Sequence, residues 1–385
     1  MYARIQPLFT IIGIMGVFGL ALLLFTAPAA PEVIVSTDSA ATSSSQVASA
    51  VAADVASTSP VAPDSPAVAS PAPTAVVSSA PATEHEPATG EVRRIENPYS
   101  TPPQSFDLTN QQARDALVNI LCTSGADSLR PISGSGVIID PRGIILTNAH
   151  VAQYVLLSQS SAVRLTCDIR YGSPARALWS AEMLFMPTAW LEEHAKDITL
   201  ERPTGTGEHD YALLRITGAR NGALLPASFP FVPYDTREGI TFEDDSVLAA
   251  SYPAEFVGGI TSRFDLYAVS SVTEIKNLLT FAENTIDLVS LGGIIGAQSG
   301  SSGGAVVNEW GRLVGIITTT SDGKTTQERD LRAVTLSYID RDIKTQTGSD
   351  LASLFAGDVA AKAAEFRSNT APHLMRLLID ELIAR

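Results

Sequence analysis

The sequence predicts an all-β globular unit, a sandwich or a pair of barrels, carried behind an apolar N-terminal segment and a polar tether. Three observations predict it. Over about 240 residues from position 105, short apolar runs alternate with Gly, Pro, Asn and Asp, the spacing of antiparallel sandwiches and barrels. Residues 163–171 place Val, Leu, Cys, Ile and Tyr on one face and Arg, Thr, Asp and Arg on the other, as in a half-buried strand. Asn308, Glu309, Trp310 and Gly311 lie between two apolar runs and read as a hairpin loop.

The charge balance narrows the function classes. With 26 Lys+Arg against 41 Asp+Glu, the net charge of −15 excludes nucleic acid as a partner, which would require a basic stripe. Two cysteines exclude a disulfide-dense scaffold and any four-cysteine metal framework. Between Arg4 and Arg93 there is no Lys or Arg at all, so the globular part begins beyond that stretch.

Residues 8–26 (LFTIIGIMGVFGLALLLFT) carry no charge. As a helix they span roughly 28 Å, close to the hydrocarbon core of a bilayer. We expect a single-pass membrane anchor within residues 1–30, with a cleaved signal peptide as the alternative. Arg4 and the terminal amine are the only positive charges before it, which leaves the N-terminus cytoplasmic and exports the rest. Residues 31–104 read as a disordered linker. Through about residue 95 it is built of Ala, Ser, Val, Pro and Thr, with scattered acids and no aromatic side chain.

Residues 107–121 have helical spacing, with Ala113, Leu117, Ile120 and Leu121 on one face. The strand candidates after them are 136–140, 144–147, 163–171, 211–216, 246–252, 264–275, 305–307, 313–319 and 333–339. Residues 175–208 fit that pattern poorly and read as an irregular or helical insertion. In the tail, Ser349 is placed to cap a helix from Asp350. Thr370 with Pro372 starts another, whose Met375, Leu378, Ile379 and Leu382 share a face. Packing on the barrel is the expectation for these helices, and an oligomer contact is the alternative.

The run Gly300-Ser301-Ser302-Gly303-Gly304 before a strand carries the strongest chemical signal. Clustered glycines permit a tight turn that exposes one side chain while backbone N–H groups converge, which suits a nucleophilic serine and an oxyanion site. Such a serine needs a base. With His85 in the linker and His373 in the tail, the candidates are His150, His194 and His209. His150 ends the run SGSGVIIDPRGIILTNAH, where two strands lead into a small-residue turn. Asp210, in HDYALLRI, opens a strand and can hold an imidazole tautomer. His194 with Glu192 and Glu193 forms an adjacent trio that does not converge as metal ligands do. No metal and no cofactor are expected.

Together these runs resemble the trypsin-like (chymotrypsin-fold) serine peptidases, and more closely the HtrA/Deg protease domain. The order His, Asp, Ser suits that clan and not the subtilisins or the α/β-hydrolases. The resemblance implies two antiparallel six-stranded β-barrels over residues 105–345, followed by a helical tail over 346–385. It makes His150 the base, Asp210 its orienting acid and Ser302 the nucleophile, with the N–H groups of Gly300 and Ser302 as oxyanion hole. Ser301 and Asp197 are the decoys. Gly296 stands where relatives with basic specificity carry an Asp, so with Ile317 it implies a pocket for an uncharged aliphatic side chain. Only some forty residues follow Asp340, too few for the PDZ domain common in that group.

Cys122 and Cys167 are either free and buried or form one disulfide, which would tie the N-terminal helix to the first barrel. The expected activity is a membrane-anchored, extracytoplasmic serine endopeptidase acting on extended or unfolded polypeptide. A catalytically inactive, protease-like binding module is the alternative. The sequence sets no oligomeric state.

Overall fold

A computed structural model of the chain describes residues 86–87, 92–125, 129–200, 205–254, 265–282, 284–294, 299–320 and 330–384. The expected membrane segment at 8–26, most of the linker, and Gly296 lie outside the described residues. Among the described residues, no helix is long and apolar enough to cross a membrane.

The described chain opens with a two-residue strand β1 (Glu86–Pro87) and the helix α1 (Phe106–Ala116). The linker was expected to stay disordered to residue 104, but residues 92–104 are fixed on the globular unit. The Ile95 N–H donates to the Gly239 carbonyl (2.7 Å), and the Trp310 indole donates to the Thr101 carbonyl (3.0 Å). Tyr99 donates to Asp235 at 2.7 Å and lies beside Trp310. Val92, Ile95 and Tyr99 supply apolar and aromatic surface just after the low-complexity run ends, which offsets the entropy of ordering this segment.

α1 is shorter than the sequence spacing indicated, because Leu117 leaves the helix and begins β2 (Leu117–Ser124). The apolar run LVNILC is buried along both faces, and a fully buried strand shows no period of two that would separate it from a helix. β2 opens a closed six-stranded barrel with β3 (Ile132–Asp140), β4 (Ile144–Thr147), β5 (Leu165–Tyr171), β6 (Arg176–Phe185) and β7 (Ala212–Ala219). Its order is β2-β3-β4-β7-β6-β5. Helix α2 (Ala149–Ser158) follows β4. The expected insertion at 175–208 is only partly one. Its first part is β6, which pairs with both β5 and β7 and closes the barrel. Only then come α3 (Thr188–His194) and a 3-10 turn.

Cys122 and Cys167 form a disulfide. It does not tie a helix to the barrel, since the two residues face each other across β2 and β5.

The second sheet corrects the expectation of a second closed six-stranded barrel. Its strands are β8 (Ser246–Ser251), β9 (Val269–Glu274), β10 (Asn277–Thr280), β11 (Leu288–Ser290), β12 (Ala305–Asn308), β13 (Leu313–Thr320) and β14 (Leu331–Thr335). With β1 at one edge they form an open, eight-stranded half-barrel in the order β1-β10-β11-β14-β13-β12-β8-β9. The edge strand β9 is rich in Ser, Thr and Glu and only half-buried, and it pairs with β8 alone. A polar outer edge of this kind blunts further pairing.

The run at 333–339 is not one strand. β14 ends at Thr335, whose hydroxyl accepts from the Tyr338 N–H and caps α4 (Leu336–Thr347). Beyond it come α5 (Leu351–Leu354), capped by Asp350 rather than Ser349, then α6 (Val359–Asn369) and α7 (Ala371–Ile383). α6 lies on β6, and α7 packs on α3 and the 3-10 turn through Leu374 and Leu378. These helices thus continue the core of the first barrel.

Candidate active site

Register brings the first two residues together. Thr147, the last residue of β4, pairs with Ala212, the first of β7. His150 lies three residues after the one and Asp210 two before the other, so both emerge at the same end of the barrel. His150 is in the first turn of α2, where backbone N–H groups lack helical partners. Its N–H donates to Asp210 Oδ1 at 3.0 Å, so the carboxylate caps a helix whose own N-cap, Asn148, makes no side-chain cap bond. The Asn148 amide instead donates to the Asp210 carbonyl at 2.8 Å.

The imidazole Nδ1 of His150 lies 2.7 Å from Asp210 Oδ2, and the Thr318 hydroxyl donates to the same oxygen at 2.7 Å. An ionised carboxylate only accepts, so Nδ1 carries the proton and Nε2 presents its lone pair. Burial by itself would push the Asp210 carboxyl up. The charge and hydrogen bonds of His150, with the Thr318 hydroxyl, outweigh burial and hold it below the usual carboxylate range. Burial would likewise push His150 down, but the charge and hydrogen bond of Asp210 hold it above its ordinary value. The His150 side chain remains 31% exposed against 6% for Asp210, so the imidazole is open while the carboxylate is enclosed.

Ser302 sits in the turn before β12. The Gly303 N–H donates to Ile317 and the Ile317 N–H to Gly304, which extends the β12–β13 pairing back and sets Thr318 beside Ser302. The Ser302 hydroxyl lies 3.5 Å from the Thr318 carbonyl, at the limit of a hydrogen bond. Among the described hydrogen bonds none joins it to His150, a contact that often tightens only when substrate binds. Gly303 has φ +83, and a Cβ there would stand 2.1 Å from the Ser135 carbonyl oxygen. Only glycine fits.

The carbonyls along this turn are all turned into the protein. Ser299 O accepts from the Ala254 N–H, Gly300 O from the Ser135 hydroxyl, Ser301 O from the Gly304 N–H and Ser302 O from the Ser135 N–H. In a trans peptide the N–H points opposite the preceding carbonyl, so the N–H groups of Gly300 and Ser302 face away from these partners. Ser301 is 1% exposed and accepts a hydrogen bond from the Ser251 hydroxyl, which removes it as a nucleophile.

The other residues singled out from the sequence fall elsewhere. Ile317 is 2% exposed and packs in the core of the half-barrel. His194 pairs with Asp197 at 2.8 Å and stacks on Trp190, while Glu192 meets His373 at 3.3 Å. Among the described residues no group of His, Cys, Asp and Glu is arranged to hold a metal. Thr318, Ser135 and Asn148 were not found from the sequence. The only trace of Thr318 there is a hydroxyl residue ending the apolar run after the serine motif.

A closed barrel, a half-barrel and a hydrogen-bonded His150–Asp210 pair are consistent with a serine peptidase of the chymotrypsin fold. Residues 134–316 match the trypsin-like peptidase domain family, and the chain carries that domain. No curated protein matches the chain.

Proposed function

We propose that the protein is a membrane-anchored, extracytoplasmic serine endopeptidase that cleaves extended polypeptide through an acyl-enzyme. The hydrogen-bonded set His150–Asp210–Thr318 beside the Ser302 turn is the observation that carries this reading. Ser302 Oγ attacks the scissile carbonyl carbon while His150 Nε2 takes its proton. The resulting oxyanion is stabilised by the N–H groups of Gly300 and Ser302. Collapse of the tetrahedral species breaks the C–N bond, and His150 returns the proton to the leaving amine. A water molecule then repeats the sequence on the ester and frees Ser302. Asp210 stays ionised throughout and stabilises the imidazolium.

An extended chain can present its carbonyl to a serine set in a turn between two β-units. The apolar segment 8–26 would hold the enzyme at the membrane, with the linker giving it lateral reach. That none of the described hydrogen bonds joins Ser302 to His150 favours a second reading, a peptidase-shaped binding module with a silent site. One experiment separates the two: the purified protein is treated with a fluorophosphonate probe beside Ser302→Ala. Labelling that depends on Ser302 supports the peptidase, and its absence in the presence of polypeptide substrate sinks that reading.

A further inference from the structure

We propose that Asp342, on α4, is a positioning residue for Asp210, acting through the two side chains that flank it in sequence. The proposal rests on the reading of Asp210 as the orienting acid. His209 Nδ1 lies 2.8 Å from Asp342 Oδ2, and the Tyr211 hydroxyl donates to the same oxygen at 2.7 Å. Residues 209 and 211 therefore both reach toward α4, while residue 210 between them reaches the other way, to His150. One carboxylate staples both neighbours, so the Asp210 backbone cannot rotate without breaking one of the two bonds.

The staple is buried and reinforced. Asp342 is 7% exposed and Tyr211 fully buried, and the Gln346 amide donates to the same Oδ2 at 2.7 Å. The Tyr338 hydroxyl, also on α4, accepts from the His209 N–H at 3.0 Å. His209 needs this support because its φ is +57, a conformation few non-glycine residues adopt. The groups facing its imidazole are Asp342, Tyr338 and Gln346 from α4, Glu208 at 3.9 Å, and Glu193 from α3. The hydrogen bond that His209 donates to Asp342 outweighs burial and, with these acidic charges, raises the imidazole, which favours the doubly protonated ring. α4 leaves directly from β14 of the half-barrel, whereas Asp210 leads into β7 of the closed barrel. The contact thus fixes the acid of one unit from the other.

The test reads His150 itself. In the full chain with isotopically labelled histidine, the His150 imidazole is titrated by NMR in wild type, Asp342→Ala and Asp342→Asn. We expect Asp342→Ala to lower the His150 pKa by about 0.5–1 unit as its contact with Asp210 loosens. Asp342→Asn, whose amide oxygen still accepts from Tyr211, should recover more than half of that shift. With turnover as the readout, Asp342→Ala should lower kcat about tenfold and leave KM within about twofold.

An unchanged His150 titration in a folded Asp342→Ala overturns the proposal. If that variant does not fold, His209→Asn, which tolerates a left-handed backbone, carries the same test, and an unchanged titration there overturns it equally. The titration needs no substrate. A wild type without Ser302-dependent labelling would therefore defeat the peptidase reading and leave the Asp342 result standing or falling by its own measurement.

Discussion

Asp210→Asn is the most informative single perturbation. The Asp210 carboxylate accepts three hydrogen bonds, from the His150 N–H, His150 Nδ1 and Thr318, in a site where it is nearly excluded from water. In the proposed mechanism His150 becomes an imidazolium during acylation. Opposite charges on the order of 4 Å apart attract by about 4 kcal/mol at an effective dielectric near 20. Loss of that attraction raises the barrier enough to slow turnover about a thousandfold. The amide adds a second penalty, because its NH2 group, turned toward Nδ1, selects the tautomer that protonates Nε2 and removes the base. Together we expect kcat to fall about ten-thousandfold, with KM changed less than about threefold. The pH profile should move as well. The proposed mechanism requires neutral His150, whose pKa is held above its ordinary value of 6.5, so the acid limb should lie above that value. Without the Asp210 charge, burial acts unopposed and lowers that pKa, so the acid limb should shift to lower pH. Steady-state kinetics on an ester substrate across pH checks both expectations. Retention of kcat within tenfold, or an acid limb that stays in place, would refute the reasoning.

Three further expectations follow from the same geometry. Thr318→Val removes one of the three bonds to Asp210 at nearly constant volume and should lower kcat about tenfold, in line with one hydrogen bond to a charged group; an unchanged kcat would remove Thr318 from the network. Gly303→Ala brings a Cβ against the Ser135 carbonyl at an unfavourable φ, so fluorophosphonate labelling should disappear; normal labelling would place the nucleophile turn elsewhere. Replacing both Cys122 and Cys167 with Ser opens a loop of sequence separation 45, worth about 4 kcal/mol by chain entropy, and should lower the melting temperature by about 10 °C. Calorimetry under non-reducing conditions checks this, and an equal melting temperature would mean that the bridge contributes no stability.

The runs around His150, Asp210 and Ser302 stood out in the sequence through their resemblance to a known family, and the structure brings His150 and Asp210 together. Thr318 was not, because a threonine in IITTT reads like any strand residue. Only the register of Ile317 against Gly303 and Gly304 carries its hydroxyl over Asp210. The helix expected at 107–121 failed for a different reason. Ala113, Leu117, Ile120 and Leu121 satisfy helical spacing, and the same side chains also suit a strand buried on both faces. That one boundary error displaced Cys122 from β2 and turned a cross-strand bridge into an apparent helix staple. In the second sheet, β10 and β11 are only four and three residues long and carry too little pattern to read. The helix α4 was hidden because β14 runs into it without a glycine or proline between them.

The seam between the two β-units explains why the site depends on residues that look unremarkable one at a time. Ser135, in β3 of the closed barrel, donates its hydroxyl to Gly300 O at 2.8 Å and accepts from the Tyr252 N–H at 2.9 Å. Its backbone N–H reaches Ser302 O at 2.7 Å, and its carbonyl accepts from Thr147 at 2.7 Å. Thr318, in the half-barrel, crosses the other way to Asp210. Each contact is buried, where a hydrogen bond is strengthened and an unmet partner is costly. Neither unit therefore holds a working arrangement alone. The closed barrel supplies the proposed base and its acid but needs Thr318 to complete the carboxylate. The half-barrel supplies the proposed nucleophile turn but needs Ser135 to hold its carbonyls. Competence is a property of how the units meet, so substitutions along this seam should cost activity out of proportion to their cost in stability.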